Sequence, residues 1–268
     1  MEKNKKNKYA VYFTTDLNYW KHSFVAIRSF LNFNDSIDVF LFYDGLNKKI
    51  LNKFRNIFSW KLKLIKFQDN NIKKINHKMR PYYFRYFIPK KLKKYSKVLY
   101  LDSDTITLCN IRKIFDTKLA KTIAAIEEPE YPTQKKLYIG DQKLKRFNSG
   151  VILFNPKKFE SKNYLKKIII NSKIFNNKWG DQPIVNHILK KDVKYINGKW
   201  NYLDKTNPKR IDKKIILHFN NFKPWKINHN SKNVKLYRKY RRLIENNYLY
   251  DDVTFKNIVK KVINFLIK

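Results

Sequence analysis

The chain has 268 residues, 43% of them hydrophobic and 16% aromatic, which is enough to bury one good core and excludes a disordered chain. Its 60 lysine and arginine residues against 21 aspartate and glutamate residues give a formal net charge of +39, which indicates either an anionic partner or AT-rich coding. No apolar run is long enough to cross a bilayer or to form a signal peptide, and the single cysteine, Cys109, excludes an intrachain disulfide and agrees with a reducing compartment.

Apolar residues along the chain follow strand-like and helix-like spacing in turn. The predicted strands cover residues 9–13, 37–43, 62–67, 98–101, 122–126, 150–154 and 215–219. The predicted helices cover residues 20–31, 48–58, 82–88 and 181–190. Pro89 is expected to end the third helix. Strands that alternate with helices predict an α/β layer fold with a largely parallel sheet.

Two carboxylates, Asp102 and Asp104, follow the apolar run 98–101, where a buried strand would end. Acidic side chains are costly to desolvate and repel each other when close, and a divalent cation between them offsets both effects. The pair therefore predicts a metal site, and the metal implies a phosphorylated ligand. The alternative is a polar turn, in which Asp and Ser are common. Because ligands of parallel sheets bind beyond the carboxyl ends of strands, Asp16 is expected in the same crevice.

Other polar residues stand where packing alone would not require them. Asn148 leads into a predicted strand, and Asp181 is the expected N-cap of a helix with Pro183 in its first turn. His218 lies in an apolar strand, where it is either a ligand or a buried, hydrogen-bonded side chain. With only five glycines the chain has neither a Walker motif nor a dinucleotide fingerprint. A nucleotide would therefore be held by a metal and by side chains.

The carboxyl-terminal segment differs from the rest, and it divides the chain into a predicted domain of residues 1–230 and an extension of residues 231–268. In the extension, lysine and arginine residues alternate with apolar and aromatic ones, and a last helix is expected. Such a basic, aromatic tail suits an anionic membrane surface. The alternative is a docking helix that covers the core with its apolar face and leaves its basic face in solvent.

Six segments of the chain carry a family resemblance. They are Thr14-Thr15-Asp16-x-Asn18-Tyr19, Tyr83-Phe84-Arg85, Tyr100-Leu101-Asp102-Ser103-Asp104, Phe147-Asn148-Ser149-Gly150-Val151, Asp181-Gln182, and His218-Phe219 with Lys223-Pro224-Trp225. In this order, from about residue 9 to about residue 226, they resemble the family 8 glycosyltransferases, the group that contains bacterial lipopolysaccharide galactosyl- and glucosyltransferases and glycogenin. The resemblance implies a GT-A fold, in which a Rossmann-like, mixed and mostly parallel sheet with flanking helices binds a nucleotide sugar. It also implies manganese dependence and retention of configuration at the anomeric carbon.

The resemblance implies a UDP-sugar and a Mn²⁺ ion in the crevice, with Mg²⁺ as the alternative ion. Asp102, Asp104 and His218 would be the metal ligands, and the ion would clamp the diphosphate oxygens. A neutral imidazole beside carboxylates suits manganese better than magnesium. Arg85 would contact sugar and phosphate, and Lys223 would stabilise charge on the diphosphate as the glycosidic bond breaks.

The resemblance also implies contacts to the nucleotide, the donor sugar and the acceptor. The nucleotide contacts would come from Thr14, Thr15, Asp16 and Asn18, with Ser103 near the ribose. The donor sugar would be surrounded by Asn148, Asp181 and Gln182. Gln182 would lie near the anomeric carbon, and front-face attack within an ion pair is the usual proposal for the family. Glu127, or alternatively Glu128, would be a sugar-binding carboxylate, and His77 is either an acceptor-side or a plain surface histidine.

The function implied is a retaining transfer of glucose or galactose from a UDP-sugar to a glycan of lipopolysaccharide or surface type, by a cytoplasmic protein peripheral at the inner face of the membrane. One departure from the family pattern is the gap between His218 and Lys223, which lacks the usual glycine and is one residue short. This gap raises the question of whether Lys223 reaches the phosphate, and it keeps a non-catalytic sugar-nucleotide binder as an alternative. A basic nucleic-acid-binding protein is a second alternative, although the lysines are spread along the chain and no nucleic-acid-binding motif is present.

Overall fold

The structure is a computed structural model, and it describes residues 8–128, 145–174, 180–203, 215–220, 223–226 and 232–242. The strands are β1 Tyr9–Thr15, β2 Asp38–Tyr43, β3 Lys63–Lys66, β4 Lys97–Leu101, β5 Thr105–Thr107, β6 Ile123–Ala125, β7 Val151–Phe154, β8 Val193–Tyr195, β9 Tyr202–Leu203 and β10 Ile216–His218. The α-helices are α1 Trp20–Leu31, α2 Lys48–Phe58, α3 Arg80–Lys91, α4 Pro156–Ser161, α5 Tyr164–Ile174, α6 Gln182–Leu189 and α7 Lys232–Arg242.

Seven strands form the central sheet, in the order β3-β2-β1-β4-β7-β6-β8. The four strands β3, β2, β1 and β4 run parallel to one another. Strand β7 is antiparallel to its neighbours β4 and β6, and β6 pairs in parallel with β8. A second, three-stranded sheet has the order β5-β10-β9. The predicted α/β fold with a mixed and mostly parallel sheet is therefore confirmed.

The core lies on both faces of the central sheet. Side chains alternate along β1, so Ala10 and Tyr12 enter the hydrophobic cluster that packs on α3, while Val11 and Phe13 enter the cluster that packs on α1 and α2. The predicted boundaries of α1 and α2 agree with the structure. Strands β5, β8 and β9 have only two or three residues, which is too short for a recognisable alternation, and the sequence analysis did not predict them.

The predicted end of the third helix is wrong, because α3 continues through Pro89 to Lys91. A proline inside a helix removes the N–H that would bond the carbonyl four residues earlier, which here belongs to Arg85. The hydroxyl of Tyr12 bonds this carbonyl instead. A partner from a neighbouring strand thus lets the helix tolerate the proline.

Helix α7, from the basic carboxyl-terminal segment, packs against α1. Its buried side chains Val234, Tyr237 and Tyr240 lie on one face, and the two tyrosines join a hydrophobic cluster with residues of β5 and β10. Residues 232–242 thus have the geometry of the docking helix that was the alternative to a membrane tail. The boundary predicted between residues 230 and 231 lies outside the described residues. No helix in the described part of the chain is long and apolar enough to cross a membrane.

Candidate active site

A cavity of about 570 Å³ opens at the carboxyl ends of β1 and β4. Most of the predicted site residues line it: Thr14, Thr15, Asp16, Asn18, Arg85, Asp102, Ser103, Asp104, Asn148, Asp181, Gln182, His218 and Lys223. These residues come from segments that are far apart in the sequence. The strand-end argument predicted this convergence for Asp16, Asp102 and Asp104, and the family resemblance implied it for the others.

Asp102, Asp104 and His218 form a group that could hold a metal ion, with one ligand atom from each lying within 4.8 Å of the others. The Nε2 atom of His218 is 3.3 Å from Asp104 Oδ1 and 3.9 Å from Asp102 Oδ2. The acids stand in the connection from β4 to β5, and the antiparallel pairing of β10 with β5 sets His218 opposite Thr105. Two carboxylates and an imidazole are a donor set that suits Mn²⁺. The residues present therefore fit the metal that the resemblance implies.

Two cations compensate the two carboxylates. Arg85 binds Asp102 with both terminal nitrogens, at 3.1 and 3.2 Å, and Lys223 Nζ lies 2.5 Å from Asp104 Oδ2. Burial alone would raise the pKa of Asp104, but Lys223 and His218 hold that pKa well below its usual range. Burial would lower the pKa of Lys223, and Asp104 raises it above the usual value. Lys223 therefore reaches the site although the glycine is missing; Asn221 and Phe222, within the shortened gap, lie outside the described residues.

The loop after β1 forms one wall of the cavity. Asp16 Oδ1 accepts hydrogen bonds of 2.9 Å from the backbone N–H groups of Asn18 and Tyr19, so this carboxylate orders its own loop. Ser103 is tied inward, because its hydroxyl lies 2.7 Å from that of Ser23 and donates to the carbonyl of Thr14. The ring of Tyr19 also lines the cavity, a position that the sequence analysis did not assign to it.

Another part of the cavity lining is a network of amides around a buried carboxylate. Glu128 Oε2 accepts hydrogen bonds from Asn148 Nδ2 at 2.6 Å and from Gln182 Nε2 at 3.3 Å. Gln182 Oε1 in turn accepts from the backbone N–H and the hydroxyl of Ser149, at 3.1 and 3.2 Å. Burial raises the pKa of Glu128, against the effect of the hydrogen bond from Asn148. Both ends of the Gln182 amide are therefore held in a defined orientation.

A family model described as glycosyl transferase family 8 matches residues 10–229 of the chain. The chain belongs to glycosyltransferase family 8. The structure is similar to that of the galactosyltransferase LgtC in complex with donor and acceptor sugar analogues, with a TM-score of 0.69 and 19% identity over 87% of this chain and 95% of that one. The two share a fold, so this family 8 protein has the predicted GT-A architecture.

Two curated relatives of this family 8 chain are named for sugar transfer. Glycosyltransferase GlyB of Streptococcus pneumoniae serotype 4 is 25% identical over 84% of the chain, which spans 60% of GlyB. Lipopolysaccharide 1,2-glucosyltransferase of Escherichia coli K12 is 28% identical over 54% of the chain, which spans 49% of that protein. The chain thus spans about half the length of these relatives.

Two predicted residues of this family 8 protein lie outside the cavity lining. Glu127 is exposed and pairs with Lys145 at 2.8 Å, whereas its neighbour Glu128 lines the cavity. Successive residues on an extended backbone point to opposite sides, so only one of the two glutamates can face the site. The placement favours the alternative, Glu128. His77 is exposed and is not part of the lining, although the next residue, Lys78, is.

Asp181 occupies the predicted N-cap position of α6, but its side chain makes no capping hydrogen bond. The carboxylate instead accepts a hydrogen bond from the hydroxyl of Tyr86 and lies 3.6 Å from Arg85 Nε. A buried carboxylate is costly unless it is paired, and Tyr86 and Arg85 supply this pairing.

Two further residues support His218, and the sequence analysis assigned a role to neither. Asn201 is buried, and its Oδ1 lies 2.9 Å from His218 Nδ1. Gly150 leaves room for the imidazole, because a Cβ atom at this position would stand 2.2 Å from His218 Cε1. Gly150 could have been found from its place in the family-like segment with Asn148. Asn201 had no local signal, because its role depends on a strand pairing.

Proposed function

We propose that this family 8 protein is a metal-dependent, retaining glycosyltransferase that moves a hexose from a UDP-sugar to a glycan. The observation that carries the proposal is the convergence of Asp102, Asp104 and His218 in one cavity, with the cations Arg85 and Lys223 beside them. Carboxylates and imidazole would hold Mn²⁺, or Mg²⁺ as the alternative. When bound, the ion supplies Lewis-acid stabilisation of a diphosphate leaving group.

The two cations supply the remaining positive charge. Lys223 would contact a diphosphate oxygen and stabilise the charge that develops as the glycosidic bond breaks. Arg85 offers a planar fork of donors, which suits phosphate and sugar hydroxyl groups better than a point charge does. Because Arg85 already holds Asp102, one guanidinium would link a metal ligand to the donor substrate.

The orientation of Gln182 supports front-face attack rather than a covalent sugar intermediate. Its Oε1 is engaged by two donors of Ser149, and an amide oxygen is a poor nucleophile even when free. In the proposed reaction the bond from the anomeric carbon to the diphosphate oxygen breaks and a bond to the acceptor oxygen forms on the same face. The proton of the acceptor hydroxyl passes to the departing phosphate. Glu128 and Asn148 would hold the sugar hydroxyl groups during this exchange.

The wall formed by the loop after β1 would hold the nucleotide. The half-exposed ring of Tyr19 offers a surface on which a base can stack, and Asp16 keeps the loop in place through its bonds to the backbone. Thr14, Thr15 and Asn18 would complete these contacts, with Ser103 near the ribose. The uracil base is proposed from the family resemblance.

The donor sugar and the acceptor are proposed by analogy with the relatives. A galactosyltransferase shares the fold and a lipopolysaccharide glucosyltransferase shares sequence, which supports galactose or glucose as the sugar and a surface glycan as the acceptor. Peripheral contact with the inner face of an anionic membrane is part of the proposal. The exposed basic residues of α7 that would make it are Lys232, Lys235, Lys239 and Arg242.

The experiment that tests the proposal is a panel of nucleotide sugars incubated with Mn²⁺, with hydrolysis of the donor as the readout. We expect hydrolysis of UDP-glucose or UDP-galactose, its loss on chelation of the metal, and its loss in Asp104→Asn. The matched control is Asp35→Asn, which removes an exposed carboxylate outside the cavity lining. Full activity of Asp104→Asn would overturn the assignment of the metal site.

A second candidate is a sugar-nucleotide binder without catalysis, which the shortened gap before Lys223 favours. Such a protein would bind UDP in the presence of Mn²⁺ but would neither hydrolyse nor transfer the sugar. Calorimetry with UDP and Mn²⁺, run beside the donor panel, distinguishes the two candidates. A third outcome, tight binding of duplex DNA that persists at moderate salt, would point to nucleic acid instead.

A further inference from the structure

We propose that Asn201 is a positioning residue that fixes a proton of the His218 ring on Nδ1, so that Nε2 is the ring nitrogen left to bind a metal beside Asp102 and Asp104. The inference rests on the proposed function only in that Nε2 is to be used by a metal. The placement of the proton itself follows from the hydrogen bonds described below.

The direction of the hydrogen-bond chain is set by a backbone group. The N–H of Gly150 can only donate, and it lies 2.9 Å from one side-chain atom of Asn148, which must therefore be the oxygen Oδ1. Asn201 contacts the same oxygen at 2.8 Å, so the contacting atom of Asn201 must be its nitrogen Nδ2. The amide of Asn201 is thereby oriented without any choice between its two ends.

The orientation of Asn201 then decides the state of the imidazole. Its remaining atom, Oδ1, lies 2.9 Å from His218 Nδ1. A carbonyl oxygen can only accept, so Nδ1 must carry a proton. With the Nδ1 proton bound to Asn201, Nε2 is the ring nitrogen that faces the acids, 3.3 Å from Asp104.

Packing keeps both groups in place. Asn201 is fully buried and His218 is nearly so. The parallel pairing of β9 with β10 sets Leu203 beside His218, and Asn201 stands two residues before Leu203 at the end of a short 3₁₀ turn. The missing side chain of Gly150 leaves the space that the ring occupies.

The same series of hydrogen bonds continues to the buried carboxylate of Glu128. Asn148 donates from Nδ2 to Glu128 Oε2 at 2.6 Å, and Gln182 donates to the same oxygen. A continuous series of amide hydrogen bonds thus runs from the ring of His218 through Asn201 and Asn148 to Glu128. The groups proposed to hold the metal and those proposed to hold the sugar are therefore oriented by one network.

The first test is ¹⁵N NMR of the histidine side chains in the metal-free protein, at a pH well above the usual histidine pKa of about 6.5. The signals of His218 are assigned by their loss in His218→Asn. We expect Nδ1 to show the shift of a protonated nitrogen. An unprotonated Nδ1 in the wild type would overturn the proposal, and this measurement needs no variant of Asn201.

Two variants of Asn201 separate the acceptor from the rest of the side chain. Asn201→Asp and Asn201→Leu have nearly the same shape and both lose the donor to Asn148, but only aspartate keeps an oxygen for Nδ1. We expect Asn201→Asp to keep the proton on Nδ1 and Asn201→Leu to lose it. The same NMR spectrum for both variants would contradict the assignment.

The second readout is Mn²⁺ affinity, measured by electron paramagnetic resonance. Loss of an outer hydrogen bond to a ligating histidine typically weakens metal binding about 10–100-fold, and we expect a loss of this size for Asn201→Leu. The control is Asn34→Leu, which removes a buried asparagine that bonds three backbone groups outside the cavity lining, and which should lower the melting temperature without changing Mn²⁺ affinity. Equal Mn²⁺ affinity in Asn201→Leu and the wild type would overturn the positioning role. A wild type that binds no Mn²⁺ but carries the proton on Nδ1 would contradict the proposed function and support the placement of the proton.

Discussion

The hydroxyl of Tyr12 donates a hydrogen bond of 2.8 Å to the backbone carbonyl of Arg85. This carbonyl would normally accept from the N–H four residues later, but that residue is Pro89, which has none. The side chain of Arg85 meanwhile binds Asp102 and donates to the carbonyl of Ser149 at 2.6 Å. A residue of β1 therefore supports the backbone of a cation in the candidate active site.

Because Tyr12 takes the place of the N–H that Pro89 lacks, the effects of changing these two residues on the free energy of unfolding should be coupled. Tyr12→Phe leaves a buried carbonyl without a partner, which should lower the free energy of unfolding by about 1–3 kcal/mol. Pro89→Ala restores the missing N–H, so in that background Tyr12→Phe should cost about 1 kcal/mol less. Urea unfolding of the two single variants and the double variant measures the coupling.

The control for this cycle is Tyr95→Phe, which removes a hydroxyl that bonds Asp38 rather than Arg85. Its effect on the free energy of unfolding should add to that of Pro89→Ala. If the effects of Tyr12→Phe and Pro89→Ala also add, then Tyr12 does not replace the N–H that the proline lacks.

Gly150→Ala tests the space that the imidazole needs. The new Cβ would stand 2.2 Å from His218 Cε1, a distance that forces the ring to move. We expect Mn²⁺ affinity to fall at least about 10-fold, because the ligand atom shifts with the ring. Calorimetric titration with Mn²⁺ is the measurement. Gly198→Ala, where a Cβ meets nothing within 4 Å, should bind Mn²⁺ as the wild type does.

Helix α7 is expected to contribute to the stability of the fold. The hydroxyl of Tyr237 lies 2.7 Å from His22 Nδ1, and the His22 ring stacks on Trp225 with 3.5 Å between ring centroids. Tyr237→Ala should lower the free energy of unfolding by about 3–5 kcal/mol, as for other large buried side chains. The exposed Lys235→Ala on the same helix should change it by less than about 0.5 kcal/mol. Equal effects in thermal unfolding would show that α7 does not dock as described.

This packing also changes how membrane binding is tested. Deleting α7 would expose the hydrophobic cluster beneath it, so loss of vesicle binding after such a deletion would be ambiguous. Charge reversal of the exposed residues, as in Lys235→Glu with Lys239→Glu, leaves the buried face intact. We expect this variant to lose its binding to anionic vesicles at low salt, while its melting temperature stays close to that of the wild type. Unchanged vesicle binding would contradict the membrane contact.

The hydrogen-bonded carboxylate of Asp192 is expected to stabilise the fold at neutral pH and to lose this effect in acid. Burial would raise the pKa of its carboxyl, but hydrogen bonds from Lys162, Thr122 and Tyr164 lower it to about 2. Because the folded pKa lies below the unfolded value of about 3.9, the contribution is complete well above pH 4 and is lost as the pH falls towards 2. Solvent screening limits its size to the order of 1 kcal/mol. Urea unfolding of Asp192→Asn and the wild type should differ at pH 7 and converge near pH 2. A difference that does not change with pH would contradict this account.

The parts of this protein that the sequence by itself determined are those that depend on neighbours along the chain. The boundaries of α1 and α2 were predicted from apolar residues at helical spacing. The acids Asp102 and Asp104 were found because they come directly after an apolar strand in the sequence. The six family-like segments allowed the fold class and most of the cavity lining to be predicted. All of this information is local, or is carried by the order of short motifs.

Only the tertiary structure decided which side chains meet across the chain. The pairing of β10 with β5 brings His218 to the acids, and the pairing of β9 with β10 brings Asn201 to His218. The face of one extended segment decides that Glu128, and not Glu127, enters the cavity. Strand pairing and facing depend on residues distant in sequence, and a shift of one residue exchanges the two faces of a strand. Local patterns of apolar and polar residues therefore cannot contain this information.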